Sequence, residues 1–176
     1  DLMYDCFLRD TQKDVDNENY VYVTIHRANN TDNEKNLKDI INALNKINEN
    51  KKVKFPMHPR TKKMIDKYKI NINFDLIEPV GYFKNLKLIK NSDLVLTDSG
   101  GVVKEAYWSK KTSILLMKKP VWPELVDLDS CINIKSEYDE ILKTYDESIN
   151  MKPVFDSDVY GVGNASKKIA KILCEN

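Results

Sequence analysis

Hydrophobic and polar residues form two kinds of pattern along this chain, short apolar runs and a helical repeat, and these patterns alternate. Short runs of apolar and β-branched residues predict buried strands. Between these runs, apolar residues recur every three or four positions, which predicts amphipathic helices. The predicted strands cover residues 20–25, 53–57, 74–77, 94–97, 113–117 and 131–134. Strands that alternate with helices in this way indicate an α/β fold, a mostly parallel sheet with helices on both faces.

The helices are predicted from apolar spacing and from the residues that begin them. Residues 31–34, Thr-Asp-Asn-Glu, fit a capping box, and the helix beyond it carries apolar residues as far as Ile47. Residues 136–139 are predicted to cap a later helix. The remaining helices are predicted around residues 64–68, 83–89, 101–110 and 165–173. Residues 26–30 and 79–82 are predicted loops, and the prolines at 120 and 123 predict irregular structure.

The chain has 176 residues, enough for one domain or for one half of a two-domain protein. Residues 1–19 are mostly polar after a short apolar patch, and we interpret them as an inter-domain connecting segment. Residues 20–176 then form the folded domain. Because the chain begins at Asp1 without an initiator Met, we expect it to be a piece of something longer or a trimmed form.

The amino-acid composition argues against some classes of binding partner. The 28 Lys and Arg residues nearly balance the 27 Asp and Glu residues, which argues against nucleic acid as a partner. No apolar run approaches the roughly 18 residues of a membrane span, so we expect no membrane partner. The cysteines at 6, 131 and 174 have no metal or redox spacing, which favours a reduced, cytoplasmic setting.

Residues 94–106, LVLTDSGGVVKEA, are the stretch most indicative of chemistry. They predict a buried strand, a tight turn and a helix start, where unpaired N–H groups and the helix dipole favour a phosphate. Gly100 and Gly101 can adopt backbone angles closed to other residues and allow a ligand to approach. Glu105, one turn further on, suits ribose hydroxyls better than phosphate. The alternative, an ordinary strand-to-helix turn, stays open because short glycine motifs are weak signals.

Several polar residues are predicted at the same edge of the sheet. His26, Arg27, His58 and Arg60 directly follow strands, as do Ser99 and Gly100. Ligands of open α/β sheets bind beyond the carboxyl ends of the strands, where these residues meet. One strand-end histidine is more often structural than catalytic, but the presence of both histidines here favours function. No Cys or carboxylate joins them at ligand spacing, so no metal site is predicted.

Seven segments of the chain match, in order, motifs of one family. They are MYD at 3–5 (resembling "DVMYD"), VTIHRANNT at 23–31 ("TxHRAENT"), HPRT at 58–61, EPVGY at 78–82, LTDSGGVVKEA at 96–106 ("LTDSGGxQKEA"), WPE at 122–124 ("EWPE") and YGVGNAS at 160–166 ("YGDGxAS"). The chain resembles the C-terminal half of the non-hydrolysing UDP-N-acetylglucosamine 2-epimerases over essentially its whole length.

The resemblance implies a Rossmann-like, UDP-binding second domain of a glycosyltransferase-B type fold, with the N-terminal domain absent from this chain. It implies interconversion of UDP-GlcNAc and UDP-ManNAc without a cofactor, for cell-envelope polysaccharide synthesis. The route is anti elimination of UDP to a 2-acetamidoglucal, then re-addition of UDP on the other face. The full-length protein is expected to be a homodimer. This chain alone is expected to be inactive, because the carboxylates used on the sugar ring belong to the first domain.

Roles for individual residues follow by position from the resemblance. Residues 99–101 would hold the diphosphate, and Glu105 the ribose hydroxyls. Uracil would lie near Tyr82 and Phe83.

The resemblance also gives roles to three residues that follow the first two strands. His26 would sit by the diphosphate as a catalytic or electrostatic group. Arg27 and His58 would face a second, activating UDP-GlcNAc bound between the domains.

The chain departs from the family's motifs at four places. Asn29 replaces the Glu of "HRAEN", Val103 replaces a Gln, and Val162 replaces an Asp. Residues 117–121, MKKPV, replace "RDETE" near the sugar. Alternatives therefore remain: a nucleotide-sugar-binding module without turnover, an epimerase acting on a related UDP-2-acetamido sugar, or a glycosyltransferase of similar fold. The combination of HRAxN, DSGG and WPE argues against the last.

Overall fold

A single parallel sheet forms the centre of the computed structural model, which describes residues 1–9, 18–155 and 158–175. The sheet has six strands in the order β3-β2-β1-β4-β5-β6, and all five strand pairings are parallel. The strands are β1 (Val21–Thr24), β2 (Val53–Pro56), β3 (Asp75–Ile77), β4 (Leu94–Thr97), β5 (Thr112–Leu116) and β6 (Cys131–Ile134). All six strands predicted from the sequence are confirmed.

Helices cover both faces of this sheet. They are α1 (Leu2–Phe7), α2 (Ala28–Thr31), α3 (Glu34–Asn48), α4 (Pro59–Tyr68), α5 (Tyr82–Lys90), α6 (Gly100–Trp108), α7 (Pro123–Asp127), α8 (Tyr138–Ser148) and α9 (Ala165–Cys174). The side chains of β1 show how the faces divide. Val21 and Val23 pack in the cluster that holds the apolar side of α3, whereas Tyr20 and Tyr22 pack on the opposite face against α5 and α6. The predicted α/β class is confirmed.

The strand order reverses between β1 and β4. From β1 the chain first builds outwards to β2 and β3, and then returns to place β4 against the other side of β1. Thr24 and Thr97 are paired at the carboxyl ends of these two strands. A crevice opens beyond such a reversal, and it is where open α/β sheets bind ligands.

Three short helices lie where the sequence indicated none. These are α1 within the predicted connecting segment, α2 within the predicted loop after β1, and α7 in the proline-rich stretch. Both predicted caps are also displaced. Asn33, rather than Thr31, caps α3 by accepting the N–H of Asn36 at 3.1 Å, because Thr31 ends α2 and donates to the carbonyl of Arg27. Helix α8 begins after Glu137 with no side-chain cap in the described part of the chain.

The two ends of the described chain lie side by side. The Asp5 carboxylate of α1 accepts the backbone N–H groups of Ala165 and Ser166 at 3.2 and 2.7 Å, at the start of α9. The hydroxyl of Ser166, and to a lesser extent these backbone bonds, hold the pKa of Asp5 below its ordinary value. Part of the predicted connecting segment, residues 10–17, lies outside the described residues. The domain boundary at residue 20 stays a prediction.

The remaining general expectations concern thiols and membranes. All three cysteines lie in the described ranges and are free thiols, with Cys131 buried and the other two exposed. None of the described helices combines the length and apolar character that a bilayer crossing requires.

Candidate functional site

The glycine turn lies in the crevice between β1 and β4. Ser99 is the N-cap residue of α6, and Gly100 is the first residue of that helix. The Ser99 N–H donates to the hydroxyl of Thr97 at 3.0 Å, but its own hydroxyl caps no N–H of α6 in the described structure. The first N–H groups of α6 therefore keep their capacity for an anion.

The two glycines are needed for reasons other than backbone angle. Neither has the positive φ found at Gly161 and Gly163, so the expected use of unusual backbone angles is wrong. A Cβ on Gly100 would lie 3.1 Å from Cγ1 of Val121 and 3.3 Å from Nε1 of Trp122. Trp122 also donates to the Gly100 carbonyl at 2.7 Å. Close packing of this segment therefore explains Gly100.

Gly101 has more room. A Cβ there would meet Met3 Cε at 3.5 Å, an ordinary contact distance. Protein packing therefore does not explain a glycine at position 101.

Asp98 organises the turn after β1, a role that the sequence did not reveal. Its carboxylate is fully buried and accepts the backbone N–H groups of His26 at 3.1 Å and Arg27 at 2.9 Å. It also accepts the side-chain amide of Asn30 at 3.1 Å. These bonds bring the end of β1 against the end of β4 and fix the start of α2. The available signal was an Asp directly after a buried strand.

The two histidines meet as predicted, at the carboxyl edge. Their ring centroids are 5.7 Å apart and the rings are inclined by 38°. Nδ1 of His26 lies 3.4 Å from Oδ1 of Asp98. Nδ1 of His58 accepts the N–H of Arg60 at 3.2 Å, so His58 also caps α4. Nδ1 of each ring therefore faces the protein, and no hydrogen bond within the described residues engages Nε2 of either ring.

The side chains of Arg60 and Arg27 lie in different environments. The Arg60 guanidinium donates to Thr31 Oγ1 at 3.1 Å and pairs with Asp32, which holds α2 against α4. Its role is structural. The Arg27 side chain is exposed at the edge of the sheet.

Glu105 is the most unusual group of the site. It lies on α6, one turn beyond Gly101, and only 5% of it is exposed. Its Oε2 atom is buried and has no hydrogen-bond partner among the described residues. Burial raises the pKa of this carboxyl from 4.5 to about 7. The carboxylate lies near Tyr22, whose pKa is raised mainly by burial and further by the charge of Glu105. A buried acceptor without a donor suits a ligand that brings one.

The two aromatic residues that are predicted to lie near uracil, Tyr82 and Phe83, are the first two residues of α5. Tyr82 and Phe83 are 39% and 52% exposed, and their rings meet edge to face with centroids 5.5 Å apart. Exposed rings of this kind can stack against a flat base.

Lys104, beside Glu105 in sequence, is a second charged residue that the sequence did not single out. It is also 5% exposed, but its ammonium lies 2.5 Å from Oδ2 of Asp1 and 3.7 Å from the ring centroid of Trp122. Burial lowers the pKa of Lys104. Its charge is compensated within the protein, which indicates a structural role that ties α6 to α1.

Within the described ranges, no three side chains of the His, Cys, Asp and Glu types converge as metal ligands would. The candidate groups are therefore a helix start with unpaired N–H groups, a buried carboxylate oxygen without a donor and two neighbouring histidines, with an exposed aromatic pair at the start of α5. This combination suits a nucleotide with a phosphate, a ribose and a base.

Comparison with known proteins agrees with this geometry. Residues 4–174 match the sequence model of the family described as UDP-N-acetylglucosamine 2-epimerase. The chain is 38% identical over 167 residues to a UDP-N-acetylglucosamine 2-epimerase homolog of Methanococcus maripaludis. It is 36% identical over 159 residues to the UDP-2,3-diacetamido-2,3-dideoxy-D-glucuronate 2-epimerase of Pseudomonas aeruginosa. Each match covers 90% of this chain and 45% of the relative, so the chain spans about half the length of these relatives.

A solved structure extends the likeness to three dimensions. The UDP-GlcNAc 2-epimerase of Methanocaldococcus jannaschii, solved in complex with UDP-GlcNAc and UDP, superposes with a TM-score of 0.90 at 31% identity. The match covers all of this chain and 54% of that one. The predicted Rossmann-like fold of the glycosyltransferase-B type is thereby confirmed.

Proposed function

The chain belongs to the UDP-N-acetylglucosamine 2-epimerase family, and from this we propose that it is the UDP-binding half of such an epimerase. The full-length protein would interconvert UDP-GlcNAc and UDP-ManNAc by elimination and re-addition of UDP. We further propose that it acts as a cytoplasmic homodimer, in cell-envelope polysaccharide synthesis, with an N-terminal domain that supplies the acid-base carboxylates. Residues 20–176 would be the UDP-binding domain.

The observation that carries the proposal is the free Oε2 of Glu105 beside an open helix start. We propose that the diphosphate binds the N–H groups of residues 99–101, where the helix dipole favours negative charge. The ribose would then lie one helical turn along α6, so that its hydroxyls donate to Glu105. Such a bond would relieve the cost of burying an unpaired carboxylate.

The other site residues complete the proposal. UDP gains charge as it leaves the sugar, and His26 would stabilise that charge from the end of β1. Tyr82 and Phe83 would stack against uracil. Arg27 and His58 would face a second, activating UDP-GlcNAc. Because a proton at the sugar C2 must be removed by a positioned base, and the proposed bases belong to the N-terminal domain, this chain alone would not epimerise.

The first test is calorimetric titration with UDP and with pyrophosphate. Residues 1–176 should bind both weakly, since the proposed N-terminal domain that would close over the ligand is not among them. Glu105→Gln should weaken UDP binding by roughly 1–2 kcal/mol, the scale of a hydrogen bond to a charged group, and leave pyrophosphate binding unchanged.

Glu147→Gln is the matched control, because Glu147 is exposed on α8, away from the site. It should change neither titration. Absence of UDP binding at millimolar concentration, or an equal loss of UDP and pyrophosphate in Glu105→Gln, would contradict the proposed nucleotide position.

A second candidate function is epimerisation of a related UDP-2-acetamido sugar. The Pseudomonas aeruginosa relative, named for a diacetamido glucuronate, is 36% identical to this chain over 159 residues. The chain also carries MKKPV at 117–121 in place of the motif expected near the sugar. Both observations favour a substrate other than UDP-GlcNAc for the same reaction.

A further inference from the structure

The two oxygens of the buried Asp98 carboxylate face different groups. Oδ2 accepts the backbone N–H groups of Arg27 at 2.9 Å and His26 at 3.1 Å, and the side-chain amide of Asn30 at 3.1 Å. Among the described residues, Oδ1 accepts only the His26 N–H, at 3.1 Å, and it lies 3.4 Å from Nδ1 of the His26 ring. Oδ2 therefore binds the turn after β1, and Oδ1 faces the imidazole.

This arrangement decides where a neutral His26 ring carries its proton. A neutral imidazole has one N–H and one bare nitrogen, which is an acceptor. A carboxylate oxygen and a bare nitrogen 3.4 Å apart would repel each other. A proton on Nδ1 turns the repulsion into an attraction, and a contact of this length can shorten into a hydrogen bond when a ligand binds. The geometry therefore favours a proton on Nδ1 and a bare Nε2.

His58 is held in the opposite way. Its Nδ1 accepts the backbone N–H of Arg60 at 3.2 Å, so this nitrogen carries no proton while the bond is made. In a neutral His58 ring the proton is then on Nε2. The two neighbouring rings, with centroids 5.7 Å apart, are therefore expected to have opposite tautomers. The cause is that a carboxylate oxygen faces one ring and a backbone N–H faces the other.

We infer that Asp98 is a positioning residue for His26. It holds the imidazole proton on Nδ1, and it balances the charge of the ring when Nε2 gains a second proton. A carboxylate that holds an imidazole through Nδ1 stabilises the imidazolium in this way. Asp98 acts through His26 and does not itself touch the ligand.

The part of Asp98 in the reaction rests on the proposed function, in which His26 stabilises the charge of the departing UDP. A diphosphate oxygen is an acceptor, so the ring can bind it through Nε2 only when that nitrogen carries a proton. Because Asp98 keeps the first proton on Nδ1, His26 would have to bind the diphosphate as an imidazolium. The position of the proton in the free chain does not depend on the proposed function.

The experiment is nitrogen NMR of the imidazole rings, which is simple here because the chain has only two histidines. With isotopically labelled histidine, the chemical shifts show which ring nitrogen carries a proton. At about pH 8.5, where histidine is neutral, His26 should carry its proton on Nδ1 and His58 on Nε2. The variants His26→Gln and His58→Gln assign the signals, since each removes one ring.

Asp98→Asn separates positioning of the ring from support of the turn. The amide oxygen can replace Oδ2 and keep its three N–H donors, while the amide NH₂ group replaces Oδ1 and donates to Nδ1 of His26. The His26 proton should then move to Nε2, and the His58 signals should not change. Asp75→Asn is the matched control, since Asp75 is an exposed partner of Lys52. It should leave both rings as in the wild type.

The same samples test the part in the reaction. At about pH 7, close to the ordinary pKa of histidine, saturating UDP should increase the fraction of His26 rings that carry protons on both nitrogens. The increase should be smaller in Asp98→Asn, because no carboxylate then balances the charge of the ring.

Two results would overturn the inference. One is a wild-type chain whose neutral His26 carries its proton on Nε2, which decides the question even if Asp98→Asn does not fold. The other is a folded Asp98→Asn chain in which the proton of His26 stays on Nδ1. If the tautomers are as expected but UDP does not bind, or binds without protonating His26, then the proposed function fails at this residue and the positioning by Asp98 stands.

Discussion

Asp98 and Glu105 are two buried carboxylates on the same strand, turn and helix, and the protein treats them differently. Asp98 is fully buried and accepts three N–H donors, from His26, Arg27 and Asn30. Glu105 is 5% exposed, and its Oε2 accepts none among the described groups. A buried charge is costly unless it is hydrogen-bonded. We therefore expect Asp98 to stabilise the fold and the ionised form of Glu105 to destabilise it.

The contrast is between polar groups whose charge the protein compensates and a polar group that it leaves without a partner. Lys104, next to Glu105, falls on the structural side, because Asp1 and Trp122 compensate its charge. The glycines also differ: a Cβ at Gly100 would be crowded by Val121 and Trp122, whereas a Cβ at Gly101 would make only ordinary contacts. Substitution of Asp98 or Gly100 should therefore lower the free energy of unfolding, whereas substitution of Glu105 or Gly101 should raise it.

The largest effect is expected for Asp98→Ala. Removing the carboxylate leaves buried N–H groups without an acceptor, and each costs roughly 1–3 kcal/mol. We expect the free energy of unfolding, measured with urea, to fall by about 4 kcal/mol. Asp75→Ala is the control, since Asp75 is an exposed partner of Lys52, and it should cost less than about 1 kcal/mol. Similar losses for the two variants would show that Asp98 does not organise the site.

An effect of opposite sign is expected for Glu105→Gln. The folded-state pKa of Glu105 is raised from 4.5 to about 7, so the folded chain keeps a proton that the unfolded chain releases between these values. The contribution of Glu105 to the stability of the wild type is therefore fully present below about pH 4.5 and is lost as pH rises, with a plateau above about pH 7. The shift corresponds to roughly 3 kcal/mol.

Glu105→Gln lacks this titration. The difference in free energy of unfolding between Glu105→Gln and the wild type should therefore increase in favour of the variant, by up to roughly 3 kcal/mol, between pH 4.5 and pH 8. Urea unfolding across this range measures the difference, and Glu147→Gln should follow the wild type throughout. A constant difference between wild type and Glu105→Gln would mean that Glu105 has a partner in solution.

The smallest effects are expected at the glycines. Gly100→Ala should lower the free energy of unfolding by about 1–2 kcal/mol, because its Cβ would crowd Val121 and Trp122. Gly101→Ala should raise it by up to about 1 kcal/mol, since alanine favours a helix. Thermal unfolding measures both, and Gly81→Ala, where a Cβ meets nothing within 4 Å, is the control. Equal losses at positions 100 and 101 would refute the distinction between them.

The sequence predicted the fold well because its pattern is local. Each strand is a short apolar run, and each long helix has an apolar stripe, so alternation alone indicated a parallel sheet. The short helices α1, α2 and α7 were missed because contacts distant in sequence stabilise them. Asp5 binds the start of α9, and Asp98 holds the residues before α2.

By itself, the sequence determined the α/β class, the glycine turn after β4 and the polar edge that gathers both histidines. It did so because strand direction in a parallel sheet brings strand ends together. Only the tertiary structure decided which polar groups are already satisfied. A carboxylate gains or loses its partners through residues some 70 positions away, as Asp98 does with His26 and Arg27. Hydrogen bonding between distant segments leaves no local pattern, so Asp98 and Glu105 could be told apart only in the folded chain.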